Sequence, residues 1–292
     1  MSISVGIGLA FMAMLCWGFG DFLIQKSTRK IGDWETLFVI TLFGAVILMP
    51  FVWRDIPEVF LNPGNSSFLI LLACGLILFT AALLEFESLK EGKLSVVEPL
   101  WSFEVPVAAV LAFLIMGERI DFVQILLIVL LIVGLAMVSF REKYSIRQFL
   151  IEKGALISLA AALTMGAANF FMGWGARETD PLMANFFVDL LILIGSGIYL
   201  FTKGRIKKVF TDAVKFRGVL LPMSILDNAA WIAFAFAMSL APIAVAVALS
   251  ESYIIVAVIL GLLINREKIQ KHQKFGLIVA IIAAIILAAI TG

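Results

Sequence analysis

The chain alternates, nearly from end to end, between apolar runs of about 20 residues and short joints that carry its basic charge. A helix of that length rises about 1.5 Å per residue and crosses the roughly 30 Å hydrocarbon core of a bilayer. Ten such runs lie near 4–25, 35–53, 67–89, 94–116, 122–140, 153–175, 182–202, 217–240, 243–264 and 274–291. Hydrophobic residues make up 62% of the 292 and charged residues 15%. Soluble domains average about 45–50% and 25%. The pattern predicts an all-α polytopic membrane protein, and no remaining stretch is long enough for a separate soluble domain. No basic residue precedes the first run, and Lys26, Arg29 and Lys30 follow it, so it reads as a retained span and not a cleaved leader.

The joints are not alike. Counting the first residue of a run with the joint before it, those after runs 1, 3, 5, 7 and 9 hold 3, 2, 4, 6 and 4 of the 22 Lys and Arg; those after runs 2, 4, 6 and 8 hold 1, 1, 1 and none. Because basic loops stay in the cytoplasm, this asymmetry predicts both termini outside a cell membrane, here that of a prokaryote. In the joint from Lys203 to Phe216, Ile206, Val209, Phe210, Ala213 and Val214 recur at helical spacing among lysines, which predicts a basic helix on the membrane surface.

Internal repetition divides the chain. Glu118 and Glu267, each near the end of a run and followed by a cation, are 149 residues apart. Trp17-Gly18 before Asp21-Phe22 matches Met165-Gly166 before Asn169-Phe170 at an offset of 148, and runs 3 and 8 close on Ser88-Leu89 and Ser239-Leu240. These matches predict two five-helix repeats, 1–140 and 153–292, joined by a linker at 141–152. Five is odd, so the second repeat enters the membrane inverted. Inverted repeats commonly build transporters with a site near the midplane between them.

Trp17-Gly18, Leu89, Pro106 followed by Gly117-Glu118-Arg119, and Gly134 resemble the EamA-type pattern of the drug/metabolite transporter superfamily, and the resemblance covers both halves. Gly276 fits it too, while Ile255 stands where proline is expected and Arg266 where glycine is expected. The resemblance implies a basket of ten helices around a central cavity and transport of small metabolites by alternating access. Many members are described with cytoplasmic termini; the charges of this sequence argue for the opposite orientation.

The chemistry lies in the carboxylates. Asp21, Glu85, Glu87, Glu98, Glu104, Asp189, Asp227 and Glu251 fall within runs that hold no deep Lys or Arg. Six charged carboxylates in hydrocarbon would cost about 15–20 kcal/mol on insertion scales, more than a typical net stability of about 5–15 kcal/mol. They must therefore border water, share protons or be held neutral. The candidate solute or proton path comprises Asp21, Glu85, Glu98, Glu104, Asn169, Asp227 and Glu251. Glu98 and Glu104 stand about 240° apart on a helix and need not share a face. Glu87 is near a run end and is expected to snorkel. Asp189 has Asn185 one turn back as its expected partner.

Trp17, Trp101 and Trp231 recur three or four residues from an acid, where an aromatic face beside a carboxylate suits a cationic solute. Each of them equally suits plain packing between helices. Ser102, Ser252 and Tyr253, with Ser250, add hydroxyls, although serine in membrane helices often bonds its own backbone. Pro99, Pro106 and Pro222 are expected to bend their helices. Glycines 6, 8, 18 and 20 in run 1, and 166, 173 and 175 in run 6, permit close helix approach. Glu118 and Glu267 are expected to pair with nearby cations at their joints. Cys16 and Cys74 read as buried apolar side chains, and His272 as a solvated joint residue.

Together these features predict a secondary transporter of a small cationic or zwitterionic metabolite, such as an amino acid or amine, with proton coupling open. The partners are that solute, protons and the bilayer, with a homodimer left open and no nucleic acid. No cofactor, metal motif or nucleotide-binding loop is present, and no Ser/His or His-rich arrangement marks an enzyme. A channel or a non-transporting scaffold is the alternative, with an intramembrane enzyme behind them.

Overall fold

A computed structural model describes residues 2–61, 64–91, 100–139, 153–263 and 270–292. All regular structure among them is helical: α1 Ile3–Ile31, α2 Asp33–Val52, α3 Ile56–Phe60, α4 Ser66–Glu91, α5 Glu104–Met116, α6 Phe122–Ser139, α7 Lys153–Glu178, α8 Pro181–Thr202, α9 Ile206–Lys215, α10 Arg217–Leu240, α11 Ile243–Ser250, α12 Tyr253–Leu263 and α13 Lys271–Thr291. Eight of these are long and apolar enough to cross a membrane, namely α1, α2, α4, α6, α7, α8, α10 and α13. The fourth and ninth runs differ from the other eight. Each is interrupted, at Ser102–Phe103 and at Glu251–Ser252.

Large apolar side chains face outward along the spans, Phe51 and Phe122 among them. That suits a lipid solvent and would be untenable in water. α1 continues six residues past its apolar run, through Lys26 and Lys30, and stops at Gly32, whose φ of 107° lies in a region that other residues rarely adopt. The turn into α2 is therefore a single residue. The 203–216 joint contains α9, with Val209 buried and Phe210 and Val214 exposed.

Packing runs between the repeats more than within them. The most extensive pairings are α1 with α10, α4 with α7, α6 with α13 and α2 with α8, followed by α5 with α7, α4 with α8, α1 with α11 and α12, and α2 with α10. Exchanging the helices of runs 1–5 with those of runs 6–10 maps this set of pairings onto itself. The leading pairs are antiparallel: Gly6 faces Leu240 while Gly20 faces Leu226, and Gln124 bonds Thr291 while Gln273 bonds the Val138 carbonyl. The Ala241 methyl lies against Gly6 near the start of α1, and the Ala241 carbonyl accepts from Arg177 near the end of α7. α1 and α7 therefore run in opposite senses, as inversion requires. Both termini lie on that same side, where Ser4 Oγ donates to the Gly292 carbonyl. On the other side Lys30 and Lys215 both lie over the Phe216 ring, 4.9 and 5.1 Å from its centroid. We call that side the basic face.

Candidate functional site between the two helix breaks

The first break follows from Pro106. It is the third residue of α5 and offers no N–H to the Ser102 carbonyl four residues back, so the chain turns at Ser102–Phe103 before the helix resumes. Phe103 N instead donates to the Leu100 carbonyl, a tighter turn. The second break has no proline, yet Ser252 N likewise reaches back only three residues, to the Leu249 carbonyl, while Ser252 Oγ donates to Ala248 O. Ser250 Oγ reaches across to the Ala10 carbonyl of α1. The breaks sit 149 residues apart, at the offset of the Glu118–Glu267 repeat, although Ile255 replaces the expected proline.

Between them Trp101, Ser102, Glu251 and Tyr253, walled by Val105, Leu135 and Ile254, enclose a void of about 10 Å³, on the order of the space one water needs. Trp101 Nε1 is buried with no acceptor among the described residues, so its donor is available to an occupant. Glu251 is linked to three further acids. Glu251 lies within coulombic reach of Glu85 on α4, Glu85 of Asp227 on α10, and Asp227 of Asp189 on α8. Three carboxylates on α4, α8 and α10 and one at the second break are thus linked pairwise, and no Lys or Arg bridges them among the described residues. Asp189 and Asn228 meet over Gly44 of α2. A Cβ placed there would run into the Asn228 side-chain oxygen and the Asp189 carboxyl group, so only glycine leaves room for both side chains.

The other expected residues fall in several places. Glu104 is buried and accepts a 3.3 Å hydrogen bond from Asn169 Nδ2, with Gly166 packed on its backbone. Gly18, the counterpart of Gly166, packs in the same way on Val256 and the Tyr253 carbonyl. Trp17 and Trp231 meet edge to face at 5.3 Å, and each does the same with Phe234, so these two fill the α1–α10 interface and only Trp101 borders the void. Asn185 donates to the Pro181 carbonyl and does not serve Asp189 as expected. Ser88 donates to the backbone of Glu85. Pro222 lies inside α10, which continues through it. Glu118 pairs with Arg177, 59 residues away, and not with its neighbour Arg119. The Asp21 side chain, Glu98, Pro99 and Glu267 lie outside the described residues.

Sequence reasoning passed over Gly44, Asn228 and Arg177. Asn228 adjoins Asp227, and that adjacency was the only signal it gave.

The EamA-like transporter family model matches residues 4–140 and again 152–289. The chain belongs to the EamA-like transporter family. An uncharacterized transporter of Archaeoglobus fulgidus is 23% identical over 283 residues, covering 96% of each chain. A protein of known crystal structure superposes with a TM-score of 0.75 over 98% of this chain and 97% of its own, at 12% identity, which shows a shared fold. The membrane transporter reading and the two-repeat organisation rest on these matches together with the eight spans.

Proposed function

We propose that this EamA-like protein is a secondary carrier of a small organic cation or zwitterion, an amino acid or amine, working by alternating access in a prokaryotic cell membrane with its termini outside. The observation that carries the reading is the chain of acids Glu251, Glu85, Asp227 and Asp189, which begins at the void between the two breaks. In a low-dielectric interior such a set is tolerable only with bound cations or protons. A solute ammonium can exchange with those protons, which would couple transport to the proton gradient. Trp101 and Tyr253 beside Glu251 supply an aromatic wall, and the Trp101 indole N–H supplies a donor to orient the solute.

The test is uptake of labelled amino acids and amines into proteoliposomes, with and without a pH gradient. The expected result is saturable flux that counter-transport accelerates and that Glu251→Gln or Asp227→Asn abolishes. Flux that does not saturate would mean a channel. Flux of any of these solutes that is indifferent to both substitutions would remove the acids from the mechanism.

A further inference from the structure

Where α7, α10 and the α5–α6 joint meet, on the face opposite the basic one, Arg177 ties the repeats together. Its Nε donates to Met238 O at 2.8 Å, one terminal nitrogen to Ala241 O at 2.8 Å, and the other to Glu118 Oε2 at 3.1 Å. The first two bonds occupy carbonyls left over at the end of α10, where a cation also meets the negative end of the helix dipole. They lie within the second repeat and fix the guanidinium in place. The third crosses to the first repeat.

Glu118 is presented by a helix stop. Gly117 adopts a left-handed φ of 65°, and Glu118 N returns to the Ala112 carbonyl, which closes α5 and points the next side chain toward α7. The crossing bond is incompletely satisfied. Glu118 Oε1 is buried with no hydrogen-bond partner, and the Arg177 side chain keeps 26% of its surface exposed. A fully built structural pair would use both carboxylate oxygens in a bidentate fork. One bond to a preset cation, with one idle oxygen, is instead an arrangement that can break without disturbing the cap beneath it.

The residue types recur in register. Arg29 stands 148 residues before Arg177, the offset of Asp21 to Asn169, and Glu267 stands 149 after Glu118. Arg29 adjoins Lys30 on the basic face.

We propose that the Arg177–Glu118 contact is a latch that holds the two repeats closed on the face opposite the basic one and must open before the void between the breaks is reached from that side. This rests on the alternating-access reading above.

The test reports accessibility and needs no solute. In a chain carrying Cys16→Ser and Cys74→Ala, Ser102→Cys places a single thiol at the void. Its labelling by a membrane-impermeant reagent is timed from each face in oriented vesicles. Glu118→Gln, which keeps size and removes the charge, is expected to speed labelling from the latch face about tenfold and to leave labelling from the basic face no faster.

As a second measurement, a disulfide between Glu118→Cys and Arg177→Cys should stop labelling from the latch face until a reductant is added. An unchanged rate in Glu118→Gln, an equal rise from both faces, or undiminished labelling with the disulfide formed would each overturn the latch. Solute flux in the same vesicles separates the two ideas. Altered labelling without flux leaves the latch and removes the carrier; flux with unaltered labelling does the reverse.

Discussion

The two interrupted helices make the instructive comparison. In the first repeat a proline forces the turn, and the carboxylate just beyond it, Glu104, is held by Asn169. In the second repeat hydroxyls bond their own and a neighbouring backbone, and the carboxylate at the turn, Glu251, borders the void. Unlike local chemistries therefore produce one backbone event at matching positions. What the two share is a glycine on the partner helix, Gly166 against Glu104 and Gly18 against Val256. The close approach of α7 and α1 at these glycines is part of what sets the breaks, and proline is one of two ways to satisfy it. The first site is locally settled, and the second is left for an occupant.

That contrast can be broken by substitution. The largest effect is expected at Glu251→Gln, where flux should fall on the order of a hundredfold while Glu104→Gln lowers it about tenfold or less. Equal losses at the two positions would erase the distinction between the sites. Glu251→Gln should also raise the midpoint of thermal unfolding by a few degrees, because it removes an ionisable group set among the apolar side chains of Val105, Leu135 and Ile254.

Next come the glycines. Gly166→Ala places a methyl 2.6 Å from the Glu104 carbonyl oxygen, which is backbone, whereas at Gly18 the nearest atoms belong to the Val256 side chain. Overpacking of this kind costs about 1–3 kcal/mol. Gly166→Ala is expected at the upper end and Gly18→Ala at the lower, read by thermal unfolding in detergent.

Pro106→Ala returns a donor to the Ser102 carbonyl and should stabilise the fold by about 1 kcal/mol while slowing flux. Smallest is Ser252→Ala, within about 0.5 kcal/mol and with flux kept, since the packing of Gly18 remains. Loss of flux in Ser252→Ala would show that the hydroxyl, and not the packing, holds the second break.

Length and hydropathy were enough to place the long spans, because bilayer thickness imposes one period on all of them. The repeat offsets carried the inversion, since an odd number of spans leaves no other arrangement. The breaks were harder to see. Residues 243–263 are apolar almost throughout, and nothing in that pattern separates a continuous helix from two halves. Pro106 marked one break, but Ile255 gave no hint of the other.

Contacts between distant residues were hidden for a different reason. The choice of Arg177 over Arg119 for Glu118, and of Trp231 as the neighbour of Trp17, depends on which helices lie side by side, and local spacing carries no such information. The extension of α1 to Ile31 was missed because charge marks where hydrocarbon ends, not where a helix must end.

The crosswise pairing of helices has a consequence for how the molecule is made. A ribosome delivers the first five spans before any of their principal partners exist. Until α7 and α10 emerge, Glu104 lacks the amide of Asn169 and Trp17 lacks the rings that later cover it. The newborn half must wait in the insertion machinery or in lipid with its polar seam uncovered. A chain cut between the two family matches would give two fragments that depend on each other for assembly, and either made alone is a natural target for membrane quality control.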